Sequence, residues 1–281
     1  MNYLNGYEVK NLIQEALRED IAMRDITTEL LVPKDLVLSA QLVAEEELIV
    51  CGISIAAKAF KLLDKNIKFK PLVKDGQKVK EGMVLAVIKG RARSILSAER
   101  VALNFLSLLS GTATQTRIFV NAIKPYKAKI LDTRKTIPGL RLLQKYAVRC
   151  GGGYNHRFAL DEMVLVKDNH LEIIGGCRNL RRPGSRLKIE IEVKSLKELE
   201  EALKLKPDMV MLDNMSVADM KKAVQVRGKW QGLSGKVLFE ASGNIDLKNV
   251  KKVAATGVDM ISIGSLTHSV DSADISLDIR P

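Results

Sequence analysis

The sequence predicts an α/β protein whose second half closes, or nearly closes, into a parallel barrel. Three observations carry this. Short apolar runs at 128–131, 163–166, 187–193, 208–212, 236–241 and 258–263 read as strands separated by amphipathic stretches, and repeated strand–helix units require parallel strands joined by helical crossovers. Helix starts between them are well marked: Ser195-Leu196-Lys197-Glu198 is a capping-box pattern, Ser216-Val217-Ala218-Asp219 is similar, and Asp246 is placed to cap the next helix. Each run also ends in polar or glycine residues: Asp132, Lys167, Glu192, Asp213-Asn214, Ser242-Gly243-Asn244 and, after Ile263, Gly264-Ser265. In a parallel barrel these ends form one rim, which carries the active site. A doubly wound open sheet is the competing topology.

The first half opens with Val9, Leu12, Ile13, Ala16 and Leu17 at helical spacing, closed by Glu19-Asp20. Asp25 and Thr27 then read as a capping turn. Residues 36–50 and 67–89 are expected as strands around a helix at 53–63, with turns at Asp75-Gly76 and Glu81-Gly82. The rhythm of residues 73–82 also occurs in biotinyl and lipoyl carriers, but no lysine is displayed at a hairpin tip as a carrier needs. A structural sheet is the better reading. Residues 97–126 are helical in pattern, with Gly111 suggesting a break between two helices. An apolar run at 128–131 follows, and Pro138 is placed to open a helix through Leu140, Leu143, Tyr146 and Ala147. That helix stops at Gly151-Gly152-Gly153.

At 281 residues the chain has ample material for a core. It is 46% apolar and 28% charged, with a net charge of +12. The lysines are scattered and do not interleave with aromatics, so nucleic acid is not the expected partner; a small polyanionic substrate accounts for the charge as well. Cys51, Cys150 and Cys177 are odd in number and lack C-x-x-C spacing. This argues for reduced thiols in a cytoplasmic protein, and against a disulfide frame or a zinc site. Neither an apolar leader nor a run of about 18 apolar residues is present, so secretion and membrane spanning are not expected.

Around the third quarter, cations gather on turns and strand ends: Arg134 and Lys135 after Asp132-Thr133, His156 and Arg157 after the glycines, Lys167 after the next strand. Loop cations on a rigid scaffold suit an anion. Ser242-Gly243-Asn244 and Gly264-Ser265, the last two small loops, suit a phosphate. Glu192 and Asp213 read either as a Mg²⁺ pair or as buried partners of Lys167 or Arg157. His170 reads as structural, Arg141 and Arg149 as solvated or ion-paired, and Arg181-Arg182 as a surface turn.

The strings DTRKT-x-PGLR, GGGxxHR and KDNH, in this order and spacing, resemble the quinolinate phosphoribosyltransferases, also called carboxylating nicotinate-nucleotide pyrophosphorylases. The opening LREDIAMRDITT and the helix string Ala98-Glu99-Arg100-Val101-Ala102-Leu103-Asn104 extend the likeness over essentially the whole chain. The resemblance implies an incomplete, TIM-like α/β barrel at 113–269, beside an N-terminal α/β sandwich domain at 1–112 on which the tail 270–281 packs back. It implies transfer of a phosphoribosyl group from 5-phosphoribosyl 1-pyrophosphate (PRPP) to quinolinate, with decarboxylation to nicotinate mononucleotide. Arg134, Arg157, His156, Lys167 and an Arg100 from a neighbouring subunit would bind the dicarboxylate. Lys135, with His268 as the weaker candidate, would face the pyrophosphate, and Thr133 is a further substrate-binding residue. Ser242, Gly243, Asn244, Ile263, Gly264 and Ser265 would hold the phosphate, and Glu192 and Asp213 the ribose and magnesium. Lys135, Lys167, Glu192 and Asp213 carry the implied catalysis. The resemblance further implies a homodimer or hexamer and no organic cofactor. Rival readings are a related phosphoribosyltransferase acting on nicotinate, the molybdenum-associated homologue, and a basic RNA- or partner-binding protein.

Overall fold

The computed structural model describes residues 6–181, 186–234 and 237–280, so the expected turn at Arg181-Arg182 lies mostly outside the described residues. The chain divides into two compact units: Met1–Arg117 with Thr136–Gly152 and Leu266–Pro281, and Ile118–Lys135 with Gly153–Ser265.

In the first unit, α1 (Tyr7–Ile21) buries Val9, Ile13 and Leu17, one stripe at four-residue spacing. The short α2 (Ile26–Leu31) is capped by Asp25, whose carboxylate accepts from the Thr28 N–H at 3.0 Å. Strands β1 (Val37–Ala44), β3 (Lys68–Pro71) and β5 (Val84–Arg91) join β12 (Ile275–Arg280) in one sheet, ordered β12-β1-β5-β3. The pairing is antiparallel, so β12 closes the β1 edge with Leu42 opposite Leu277. A small second sheet pairs β2 (Leu48–Ile49) with β4 (Lys78–Val79). The expected turns at Asp75-Gly76 and Glu81-Gly82 separate these pieces, both glycines having positive φ. Helix α3 (Ile53–Leu63) presents Ile55, Ala56, Ala59 and Phe60 to the core.

The break expected at Gly111 does not occur. One helix, α4 (Ala92–Ala122), runs straight through it. A Cβ at Gly111 would come within 2.1 Å of the Asp271 carbonyl oxygen, and the neighbouring Ala273 N–H donates to the Ser107 carbonyl at 3.0 Å. The glycine is there for close approach of another backbone, not for a bend. The next helix, α5, also starts later than Pro138 suggests. Residues 137–140 form a turn closed by Leu140 N–H to Ile137 C=O, and α5 runs over Arg141–Cys150. Pro138 accommodates the turn because it has no N–H to satisfy. At the other end, Gly151 keeps a helical backbone, and a Cβ there would lie 2.5 Å from the Ala113 carbonyl oxygen.

Among the described residues the second unit contains six parallel strands: β6 (Lys129–Leu131), β7 (Val164–Val166), β8 (Ile189–Val193), β9 (Met209–Asp213), β10 (Leu238–Ser242) and β11 (Met260–Ser262). Their order is β6-β11-β10-β9-β8-β7. Apart from β6 taking its place beside β11, this is the order of the chain, as in a ring. A doubly wound sheet reverses direction partway, so that alternative is excluded. With six strands and with β6 and β7 as its edges, the barrel is incomplete. Helices α6 (Asp168–Ile173), α7 (Leu196–Lys204), α8 (Val217–Ser234) and α9 (Val250–Ala254) supply the crossovers, and α10 (Ser265–His268) follows β11. The cap on α7 is as expected, with Ser195 Oγ accepting from the Glu198 N–H. Ser216 Oγ likewise accepts from the Asp219 N–H, but Asp246 accepts from Lys248 and Asn249 in the turn before α9, whose N-cap is Asn249 with no side-chain cap bond.

Candidate active site

Side-chain alternation along the barrel strands decides what faces inward. Leu131, Met163, Met209 and Met260, with Leu238 beside them, form an apolar cluster. Two residues further along β10 and β11 the pattern turns polar, at Glu240 and Ser262. Both Glu190 and Glu240 are fully buried, and Ser262 Oγ donates to Glu240 Oε1. Burial in so apolar a setting disfavours ionisation. It pushes Glu190 up to about 7 and Glu240 to about 8, with the Glu190 charge adding to the effect on Glu240. A charge on Glu190 therefore holds Glu240 toward its neutral form.

His156 sits over this pair. Its Nε2 lies 3.0 Å from Glu190 Oε2 and 3.5 Å from Glu240 Oε2. Its Nδ1 accepts from the Arg157 N–H at 2.8 Å. An accepting Nδ1 carries no proton, so the ring donates through Nε2. Both ring nitrogens are thereby engaged within the protein, and the residue holds the loop that carries Arg157. The same loop is tied to β6. Asp132, fully buried after that strand, accepts from the Asn155 side-chain amide and, at 2.9 Å, from the His156 N–H. Tyr154 bridges to Leu131 like a fragment of a further strand.

Arg157 donates through Nη1 to the Met163 carbonyl at 2.9 Å, while its Nε is buried with no hydrogen-bond partner. Burial and the adjacent Arg134 guanidinium lower its pKa, and Glu190 opposes this. Two guanidinium groups whose charges act on one another, one of them also facing buried Glu190, make a receptor for a planar anion. Thr133 Oγ1 accepts from the Lys135 N–H at 3.0 Å, which shapes the turn presenting Arg134 and an exposed Lys135. Lys167 follows β7, and its charge acts on both Glu190 and Glu192. His170 has the structural part expected of it: Nδ1 accepts from the Lys167 N–H at 3.0 Å.

Opposite in charge are Glu192 at the end of β8 and Asp213 at the end of β9. Burial raises the Glu192 pKa first and the Asp213 charge second, while Lys167 and Lys194 lower it. Two carboxylates that repel one another supply hard oxygen donors, the set that Mg²⁺ takes, so they fit the ion that the resemblance implies. Beside them the loops after β9 and β10 are stitched together. Asn214 Nδ2 donates to Asp213 Oδ2 at 2.9 Å, Asn244 Nδ2 to Asn214 Oδ1 at 3.0 Å, and Asn249 Nδ2 to the Asn244 carbonyl at 2.8 Å. Gly243 has φ +91°, and a Cβ there would lie 2.3 Å from Asn214 Oδ1. Ile263 N–H donates to the Leu131 carbonyl, fixing the start of the Gly264-Ser265 turn.

Thr133, Arg134, Lys135, His156, Arg157, Lys167, Glu192, Asp213, Ser242, Gly243, Asn244, Ile263, Gly264 and Ser265 thus belong to one unit. Arg100, exposed on α4, and His268, whose Nδ1 meets Ser269 Oγ at 2.6 Å, belong to the other. Arg141, half-buried, donates to the Thr136 hydroxyl at 3.1 Å. Sequence reasoning passed over Glu190 and Glu240. The available signal was a carboxylate inside otherwise apolar strands, IEIEV and LFEAS.

Comparison with known proteins gives the same picture. The family model described as quinolinate phosphoribosyl transferase, N-terminal domain, matches residues 25–110, and that of the C-terminal domain matches residues 112–278. A probable carboxylating nicotinate-nucleotide pyrophosphorylase of Bacillus subtilis (strain 168) is 39% identical over 98% of this chain and 95% of its own. The carboxylating nicotinate-nucleotide pyrophosphorylase of Mycobacterium leprae (strain TN) is 40% identical over 96% of both chains. The solved nicotinate-nucleotide pyrophosphorylase of Francisella tularensis superposes with a TM-score of 0.89, at 45% identity, over 97% of this chain and 96% of its own. Matched along nearly its whole length, the chain belongs to the quinolinate phosphoribosyltransferase family.

Proposed function

We propose that this protein transfers the phosphoribosyl group of PRPP to quinolinate and releases carbon dioxide and pyrophosphate, forming nicotinate mononucleotide for de novo NAD synthesis. The observation that carries the reading is the Arg134–Arg157 pair, with Arg157 facing buried Glu190, within a chain matched along nearly its whole length by relatives named for this activity.

Arg134 and Arg157 take the two carboxylates of quinolinate, with Lys167 beside them and Arg100 reaching in from a neighbouring subunit of a homodimer or hexamer. His156 positions Arg157 and keeps the acid pair beneath it. The ring nitrogen of quinolinate attacks C1 of the ribosyl donor as pyrophosphate leaves. Glu192 and Asp213 face the positive charge that develops on the ribose. Lys135, Thr133 and His268 attend the departing pyrophosphate, and the stitched loops at 242–244 and 263–265 hold the 5-phosphate. Glu192 and Asp213 would also hold Mg²⁺, which when bound offsets the charge of the donor's pyrophosphate. Loss of carbon dioxide leaves an electron pair next to a quaternised ring nitrogen, so the substrate is its own electron sink and no organic cofactor is required. Among the described residues no helix is long and apolar enough to cross a membrane, and the proposed location is the cytoplasm.

The test is an assay of pure protein with PRPP, Mg²⁺ and either quinolinate or nicotinate. Carbon dioxide release from quinolinate supports the reading, and turnover of nicotinate alone rejects it.

A further inference from the structure

Two of the three cysteines, distant in the chain, meet in the first unit. Cys51 ends the turn before α3 and is fully buried; Cys150 is the last residue of α5 and half-buried. Their sulfurs lie within 4.8 Å of one another. Asp75, from the Asp75-Gly76 turn, completes the group, and one ligand atom of each residue lies within 4.8 Å of the other two. Tyr146, one helical turn before Cys150, donates its hydroxyl to Asp75 Oδ2 at 2.8 Å.

The geometry points to a binding site for a soft divalent cation, Zn²⁺ or Cd²⁺, held by Cys51 Sγ, Cys150 Sγ and the Asp75 carboxylate. Tetrahedral zinc holds two thiolate sulfurs roughly 3.8 Å apart, and the Cys51 and Cys150 sulfurs lie within 4.8 Å. The carboxylate is oriented beforehand. Oδ1 accepts from the Gly52 and Ile53 N–H groups at 3.0 and 3.1 Å, and Oδ2 from the Tyr146 hydroxyl at 2.8 Å. A carboxylate oxygen has two lone pairs, so Oδ2 keeps one that these bonds do not use. The Cys51 backbone is satisfied separately: Ser110 Oγ accepts from its N–H and donates to its carbonyl. Its side chain is thereby set toward the other two ligands.

Charge favours a cation here. Ionised thiols beside the Asp75 carboxylate would oppose one another and it, as three close negative charges. A divalent ion reverses that opposition, because all three ligands then face positive charge. Binding converts each thiol to a metal thiolate and releases its proton to solvent, two protons for one ion. The half-exposed Cys150 and Tyr146 mark the way in, and Tyr146 or a water can take the fourth position. The absence of C-x-x-C spacing argued against a zinc site; the fold brings together ligands that the sequence separates.

The test uses the full chain, freed of metal by a chelator and kept reduced with a phosphine under nitrogen. Cd²⁺ is added while the ultraviolet thiolate-to-cadmium charge-transfer band is followed, and Zn²⁺ is then used to displace it. One saturating equivalent per chain is expected. Cys150→Ser, at the half-exposed ligand, should weaken binding by roughly a hundredfold and Tyr146→Phe by roughly tenfold, with Cys177→Ser unchanged. Should Cys51→Ser fold poorly, Cys150→Ser alone decides. No charge-transfer band, or a band that survives Cys150→Ser, overturns the proposal. So does a band lost in Cys177→Ser. Because the readout is metal binding, it stands or falls apart from the proposed activity.

Discussion

Arg157 is the residue on which the most constraints converge. Asp132 fixes the backbone before it, His156 Nδ1 takes its N–H, and the Met163 carbonyl takes one arm of its guanidinium. What is left of the fork is buried beside Arg134. Removing either guanidinium should cost about 3 kcal/mol of dicarboxylate binding, more than a hundredfold in kcat/KM for quinolinate, with thermal unfolding little changed. Unchanged kinetics in both Arg134→Ala and Arg157→Ala would eliminate the proposed cage. The acid pair beneath makes a separate prediction about pH. Glu190 and Glu240 bind a proton more tightly in the folded chain than at their ordinary value of 4.5. Their contribution to stability is therefore complete below about 4.5 and is lost as pH rises through 7 to 8, at a slope of at most about 1.4 kcal/mol per pH unit for each proton. Urea unfolding at a series of pH values should show this decline, and Glu240→Gln should flatten it. A wild-type midpoint that rises from pH 6 to 8 would contradict it.

Among the elements, α4 and the loop after β10 each depend on one glycine. A side chain at 111 meets the Asp271 carbonyl, which belongs to the segment leading into β12. Gly111→Val should therefore cost about 3 kcal/mol or more, although valine is only mildly unfavourable in a helix. Thermal unfolding will show it, and a variant as stable as the parent would mean that the two backbones are not in contact. In the β10 loop, Gly243→Ala pushes on Asn214 and strains a positive φ. Because Asn214 also binds Asp213, the proposed phosphate loop and one proposed ribose ligand should move together. The expectation is a rise in KM for PRPP of roughly tenfold, with KM for quinolinate changed less. Equal effects on both would count against that division.

At the scale of the molecule, β12 returns the chain's end to the first sheet. It covers β1 from Ser39 to Ala44. Deleting residues 275–281 would leave β1 as an open edge, and light scattering should show association of the truncated protein. If Arg100 acts from a neighbouring subunit, mixing inactive Arg100→Ala with inactive Glu192→Ala protein should restore activity through hybrid oligomers. No recovery after subunits have been shown to exchange would place Arg100 in its own chain's site.

Much of this was legible in the sequence because it is local. The period of apolar residues named α1, α3 and the barrel strands, and side-chain oxygens such as Asp25 and Ser195 marked helix starts through bonds spanning three residues. Polar residues at successive strand ends located the rim, since parallel strands carry their ends to one side. Long-range contacts decided the rest. Whether Gly111 bends a helix or admits a distant backbone depends on Asp271, far away in the chain. That Glu190 and Glu240 both lie against His156 depends on two strands curving toward one interior, and that Cys51 meets Cys150 depends on where a turn and a helix end pack. Periodicity and turn chemistry act over a few residues and can be read in order; burial, charge sharing and ligand convergence exist only once separate segments occupy one volume.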